Sequence, residues 1–178
     1  MSKGTLVLVI FLFIYLLGCK KATHTAQDFK PYDGPVATFE KVRMYFSDSA
    51  IVKVKMQANV QDEYSNGDRL FPKGIILDFY DNDGTINSTL TADKAKYEKK
   101  TGIYTVMGNV VITGVKEYKK LNTEELYWNP ATKKVYTDKF VRIETQTEIL
   151  TGNGLDATQD FKNYKIRNPA GVFSVNEF

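Results

Sequence analysis

The chain has 178 residues and a net charge of +3, from 24 Lys and Arg against 21 Asp and Glu, with a single His and a single Cys. So slight a positive balance gives no ground for nucleic-acid binding, which calls for a concentrated basic stripe. The lone His, His24, stands near the N-terminus. Metal sites built on His and Cys are excluded by count, and a Ser–His or Cys–His nucleophile has no base within the body of the chain.

In chain order, Lys3 is followed by Thr5 to Leu17, thirteen residues without charge, and then by Gly18, Cys19 and Lys20-Lys21. A positive start, a short apolar core and a small residue before the break mark a secretory signal. The run is too short to span a bilayer comfortably, which takes about 20 residues. Leu16-Leu17-Gly18-Cys19 looks like a bacterial lipobox, in which the thiol takes a diacylglyceryl group and cleavage leaves Cys19 first. That chemistry would explain a solitary thiol, and two acyl chains make a stable tether. A plain signal peptide or a short anchor with an incidental Cys is the alternative. Loss of residues 1–18 leaves 160 residues, ample for one domain. With Cys19 consumed no disulfide is possible. Residues 19–43 are expected to form the lipidated Cys and a polar tether, and 44–178 the folded domain.

From Met44 onward the periodicity is that of strands. In Ile51-VKVKMQANV, Val52, Val54, Met56, Ala58 and Val60 face one way and Lys53, Lys55, Gln57 and Asn59 the other. Asn66-Gly67 and Asp83-Gly84 signal tight turns. Between them Ile75, Leu77 and Phe79 share a face. Only Thr89-LTADKAKYEKK fits either period.

An internal repeat settles that segment. Leu90-TADKAKY, Leu121-NTEELYW and Leu150-TGNGLDA start 31 and 29 residues apart, each with a small residue two places after the leucine and an apolar one five places after. A second apolar strand or its lead-in follows eighteen residues after each leucine: Gly108-NVVIT, Lys139-FVRIE, Asn168-PAGVF. Each unit is two strands joined by a polar turn, such as 99–102 or 129–132. With 50–80 as a divergent first unit, antiparallel hairpins stack in sequence order, each burying its face against its neighbours.

The strings Phe71-PKGIILDFYD, LTADKAKY, GNVVIT, LNTEELYWNP, VYTDKFVRIE and ILTGNGL closely resemble the LptC family of lipopolysaccharide-export proteins, over roughly residues 50–175. The matching steps are Leu121, Thr123, Leu126 and Trp128; Thr137, Asp138, Val141 and Ile143; and Ile149, Gly152, Gly154 and Leu155. Similar repeats occur in LptA and in OstA-like domains. Familiar members hold the inner membrane by an uncleaved transmembrane helix, so a lipidated Cys departs from the pattern and bears on which membrane holds the anchor.

The resemblance implies an all-β, open β-jelly-roll, or β-taco, of two facing sheets. It implies a periplasmic, non-enzymatic carrier without cofactor. Such a carrier accepts lipopolysaccharide, or lipooligosaccharide, from an inner-membrane LptB2FG-type exporter and passes it to an LptA-like bridge. Acyl chains need an apolar trough. Its candidate residues are Val54, Met56, Ile75, Leu77, Phe79, Val110, Ile112, Leu126, Trp128, Val141, Ile143 and Leu155. Leu90 and Leu121 share their pattern. The C-terminal segment with Val172, Phe173, Ser174 and Val175 would offer an open edge to the bridge. The hairpin near Ile51 to Val60 would meet the exporter's β-domain. A lipoprotein with a closed, filled β-sandwich is the alternative.

Other chemistry finds little support. Asp78, Asp81 and Asp83 lack the first and twelfth ligands of an EF-hand, and a hairpin turn explains them. Glu124 and Glu125 point to opposite faces of a strand and make no catalytic pair. The Lys pairs at 99–100, 119–120 and 133–134 are expected at solvated turns, with anionic head groups as the alternative partner.

Overall fold

The computed structural model describes residues 32–115 and 118–170. Among these there is no helix, and eleven antiparallel strands form one sheet. They are β1 (Ala37–Asp48), β2 (Ile51–Glu63), β3 (Arg69–Phe71), β4 (Ile75–Tyr80), β5 (Ile86–Ala92), β6 (Lys94–Glu98), β7 (Ile103–Gly114), β8 (Lys119–Asn129), β9 (Lys134–Thr145), β10 (Ile149–Thr158) and β11 (Tyr164–Ala170). The chain divides into Met1–Asp33 and Gly34–Phe178, and the sheet lies wholly in the second unit. The ambiguous segment around Leu90 is β5 and β6, as the repeat requires.

One boundary moves. The first strand begins at Ala37, so the sheet takes in residues 37–43 that the sequence reading gave to the tether. The reason is physical: among the described residues β1 pairs only with β2, and as an edge strand it exposes Glu40, Lys41 and Arg43. Lys41 also takes φ 53, which breaks the period-2 signal.

The sheet does not lie flat, because the strands break near their middles. Gly74 separates β3 from β4, and Asp93 separates β5 from β6. In β7 the break is Gly108-Asn109, with φ 76 and 45. In β8 the register slips between Thr123 and Tyr127, and in β10 between Asn153 and Leu155. Such bulges bend a strand and strengthen its twist. Aligned side by side they form a crease that folds the sheet into two facing layers. The crease is tied at one point by Asp93, whose N–H donates to Gly108 O (3.0 Å) and whose carboxylate accepts from Asn109 Nδ2 (2.7 Å). A Cβ at Gly108 would stand 2.8 Å from that carboxylate, so a larger residue would push this tie apart.

On one side of the crease, inward side chains run in register across the sheet as Arg69, Tyr97, Tyr104, Trp128, Val135, Ala157 and Tyr164. On the other side the row is Met44, Met56, Leu77, Leu90, Ile112, Leu121, Ile143 and Leu150. The two layers meet through aromatic edges: Phe46 and Phe79 approach Trp128 at 5.1 and 6.0 Å, with interplanar angles of 79° and 89°. That edge-to-face geometry is the favoured one. The architecture is all-β and consistent with the β-jelly-roll, or β-taco, that the resemblance implies.

Candidate functional site

All twelve trough candidates lie between the layers, none more than 2% exposed. Nine come from one layer (Val54, Met56, Ile75, Leu77, Phe79, Val110, Ile112, Val141 and Ile143), and Leu126, Trp128 and Leu155 from the other. Around Trp128 the interior is closely packed by Phe46, Phe79 and Tyr104. The indole N–H donates to Gln159 Oε1 at 3.1 Å.

Further along, the packing opens into a cavity of about 420 Å³, within the range of about 300–1,000 Å³ typical of small-molecule sites. Its apolar wall is Ile112, Leu121, Ile143, Phe161 and Tyr164. Only Ile112 and Ile143 of the twelve candidates line it. Ser88 faces Gly114 across the β5–β7 ladder and also lines the space. Its hydroxyl is buried with no hydrogen-bond partner, and the polar part of the lining is completed by Asp81, Asn87, Lys119, Asp160 and Lys162.

The free ends of the two layers form the lips of the fold, opposite the crease. Among the described residues, several side-chain contacts cross them. Lys133 Nζ pairs with Asp48 at 2.5 Å, Lys162 Nζ with Asp81 at 2.9 Å, and Asn87 Nδ2 donates to Asp160 O at 2.6 Å. The Lys133 ammonium and the Ser49 hydroxyl hold the Asp48 carboxyl below its usual range. A polar cleft of about 680 Å³ runs between these residues and shares Asp81, Asp160 and Lys162 with the apolar cavity. The β10–β11 turn therefore straps the mouth. Phe161 in it takes φ 59 and turns its ring inward, 6% exposed.

Cys19 and the segment Val172, Phe173, Ser174 and Val175 lie outside the described residues. The N-terminal edge is β1 rather than the Ile51–Val60 strand, because β2 is flanked by β1 on one side and by β3 and β4 on the other. Asp83 Oδ1 closes a turn by accepting from Thr85 N and Oγ1, at 3.0 and 2.6 Å. Lys119 and Lys120 open β8 instead of sitting in a turn. Ser88, Phe161 and the lip ion pairs went unseen. Lys133 and Asp48 are 85 residues apart, and no local pattern links them.

The model of a protein family described as lipopolysaccharide-assembly, LptC-related, matches residues 5–168. No curated protein matches the chain.

Proposed function

The chain belongs to the LptC-related lipopolysaccharide-assembly family, and from that premise we propose that it carries lipopolysaccharide through its interior from an LptB2FG-type exporter to an LptA-like bridge. The observation that carries this reading is the cavity walled by Ile112, Leu121, Ile143, Phe161 and Tyr164 and roofed by a polar strap. Acyl chains would lie against that wall, gaining about 25 cal/mol for each Å² of apolar surface they bury. The sugar and phosphate head would stay at the lips among Lys133, Lys162 and the carboxylates. No bond is made or broken in such a passage, so the driving force must come from the exporter.

The ends of the sheet suit relay. At one end β1, twelve residues long, pairs among the described residues only with β2 and presents a row of backbone donors and acceptors. We assign this edge to the exporter's β-domain and the C-terminal segment around Ser174 to the bridge, each by addition of a strand. Anchoring follows the sequence reading: Cys19 lipidated, on the periplasmic face of the inner membrane. Metabolic labelling with a clickable fatty acid is expected to mark the wild type and to leave Cys19→Ala unmarked, and an unmarked wild type would remove the anchor.

Photocrosslinking tests the conduit. A photoreactive residue at Ile112 or Ile143 is expected to capture lipopolysaccharide, whereas one at Lys55 or Asp78 on the outer face is not. The packing around Trp128 favours one rival, a filled structural sandwich. Equal capture on both faces, or none on either, would decide for that rival.

A further inference from the structure

We propose that Arg69 is an anion-binding residue just inside the mouth, taking a phosphate group of the amphiphile that lies along the trough. The proposal deepens the transport reading and rests on it.

Arg69 opens β3, one residue after the turn at the lip. It pairs with Tyr97 on one side and Glu63 on the other, in the inward-facing row that continues to Tyr104 and Trp128. A guanidinium is thus held against an aromatic interior. Its carbon lies 4.9 Å from the centre of the Tyr97 ring, and Nη1 lies 3.9 Å from Met44 Sδ, a weak acceptor from the opposite layer. Nε is buried with no hydrogen-bond partner. Glu63 stands opposite in register, yet Arg69 forms no ion pair with it or with any other carboxylate among the described residues.

A second orphan lies beside the first. Gln61 on β2 is the diagonal neighbour of Arg69, is 6% exposed, and its Oε1 also lacks a partner. A buried polar group without a partner is uncommon and asks for an explanation. Two of them, a cationic donor and an acceptor on adjoining strands, describe a receptor for an anionic group with a hydroxyl next to it. The planar fork of Arg suits phosphate oxygens, and charge-assisted bonds of this kind are about twice as strong as neutral ones. The Tyr97 face stabilises the cation while the site is empty, and the Tyr104 hydroxyl is a side-chain hydrogen-bond neighbour of the guanidinium, but Nε is left without an acceptor. The position fits a headgroup: Arg69 is only part-buried, and at the β1 end of the same face Phe39 stays 47% exposed. The acyl part could then extend inward while the phosphate stays at the rim.

The test uses the full-length chain in detergent and two probes, a diphosphorylated acylated disaccharide lipid and the same lipid after enzymatic removal of its phosphates. The wild type is expected to bind the phosphorylated form at least about tenfold more tightly, the worth of one charge-assisted bond. Arg69→Met is expected to abolish that preference and leave affinity for the dephosphorylated lipid unchanged. Arg69→Lys should keep only part of it, and carries the test if the Met variant melts early. A wild type without preference, or variants that keep it in full, would overturn the anion site while leaving the conduit standing. Failure of the wild type to bind either lipid would instead overturn the transport reading, and this proposal with it.

Discussion

Tyr104 shows how much one residue owes to its place in the inner row. It is 2% exposed, and burial pushes its phenol up to about 12, against the pull of the neighbouring Arg69 guanidinium. An unfolded tyrosine loses its proton near 10. Between these values the folded chain keeps a proton that the unfolded chain has given up, so stability falls as pH rises through that window. Below pH 10 the contribution is complete. The gap corresponds to roughly 2–3 kcal/mol. Urea midpoints measured from pH 9 to 11.5 are expected to drop for the wild type and to drop less for Tyr104→Phe, which has nothing to ionise there. Parallel curves for the two would mean that the phenol does not control the alkaline limit.

At the scale of the strand, close approach governs the β10–β11 pair. A Cβ at Gly152 would meet Asn168 O at 2.4 Å, Ile166 Cγ2 at 2.5 Å and Pro169 Cα at 2.9 Å. Two of these three atoms are backbone and cannot swing aside. Gly152→Ala is therefore expected to cost about 1–3 kcal/mol, as overpacking does, and to raise amide exchange first in β11. Unchanged exchange in β11 with an unchanged melting temperature would refute the close-packing account. In the sequence this glycine stood out only as one step of the motif that carries the family resemblance. The repeat carried more than it yielded at first. Its inward positions follow the leucine at two, five and seven places: Leu121, Thr123, Leu126 and Trp128 are all buried, as are Leu90, Ala92 and Ala95. A strand without irregularity would keep even spacing. The step of three between the second and third positions marks the bulge, and repeated in three units it encodes the crease. Strand identity and inward face were thus legible because they depend on local period. The cavity was not. It depends on Ser88, Gly114 and the Phe161 turn arriving at one place from β5, β7 and the β10–β11 connection, which no short window contains.

For the whole molecule, the decisive question is what keeps the lips together. At the crease the layers are joined by strands, whereas among the described residues the mouth is crossed by side-chain contacts such as Lys133 to Asp48, Lys162 to Asp81, and Asn87 to the Asp160 carbonyl. The two lysines are more than half exposed, and exposed ion pairs are worth about 0–1 kcal/mol each. Such contacts add little to global stability yet suit a mouth that must part and close, since local opening draws on the weakest contacts. Trp128 is the only tryptophan, is fully buried, and is bonded to Gln159 of the strap, so its accessibility to a quencher reports on parting of the layers at the strap. Lys133→Glu with Lys162→Glu places like charges against Asp48 and Asp81. Acrylamide quenching of Trp128 is expected to rise at least about twofold, while the melting temperature falls by only a few degrees, the shift that about 1 kcal/mol produces in a chain of this size. High salt should raise quenching in the wild type toward the level of the variant, because screening weakens exposed pairs. If quenching in the variant equals that of the wild type at both salt concentrations, the aromatic packing alone holds the layers together, and lipid would have to enter from the open ends of the sheet.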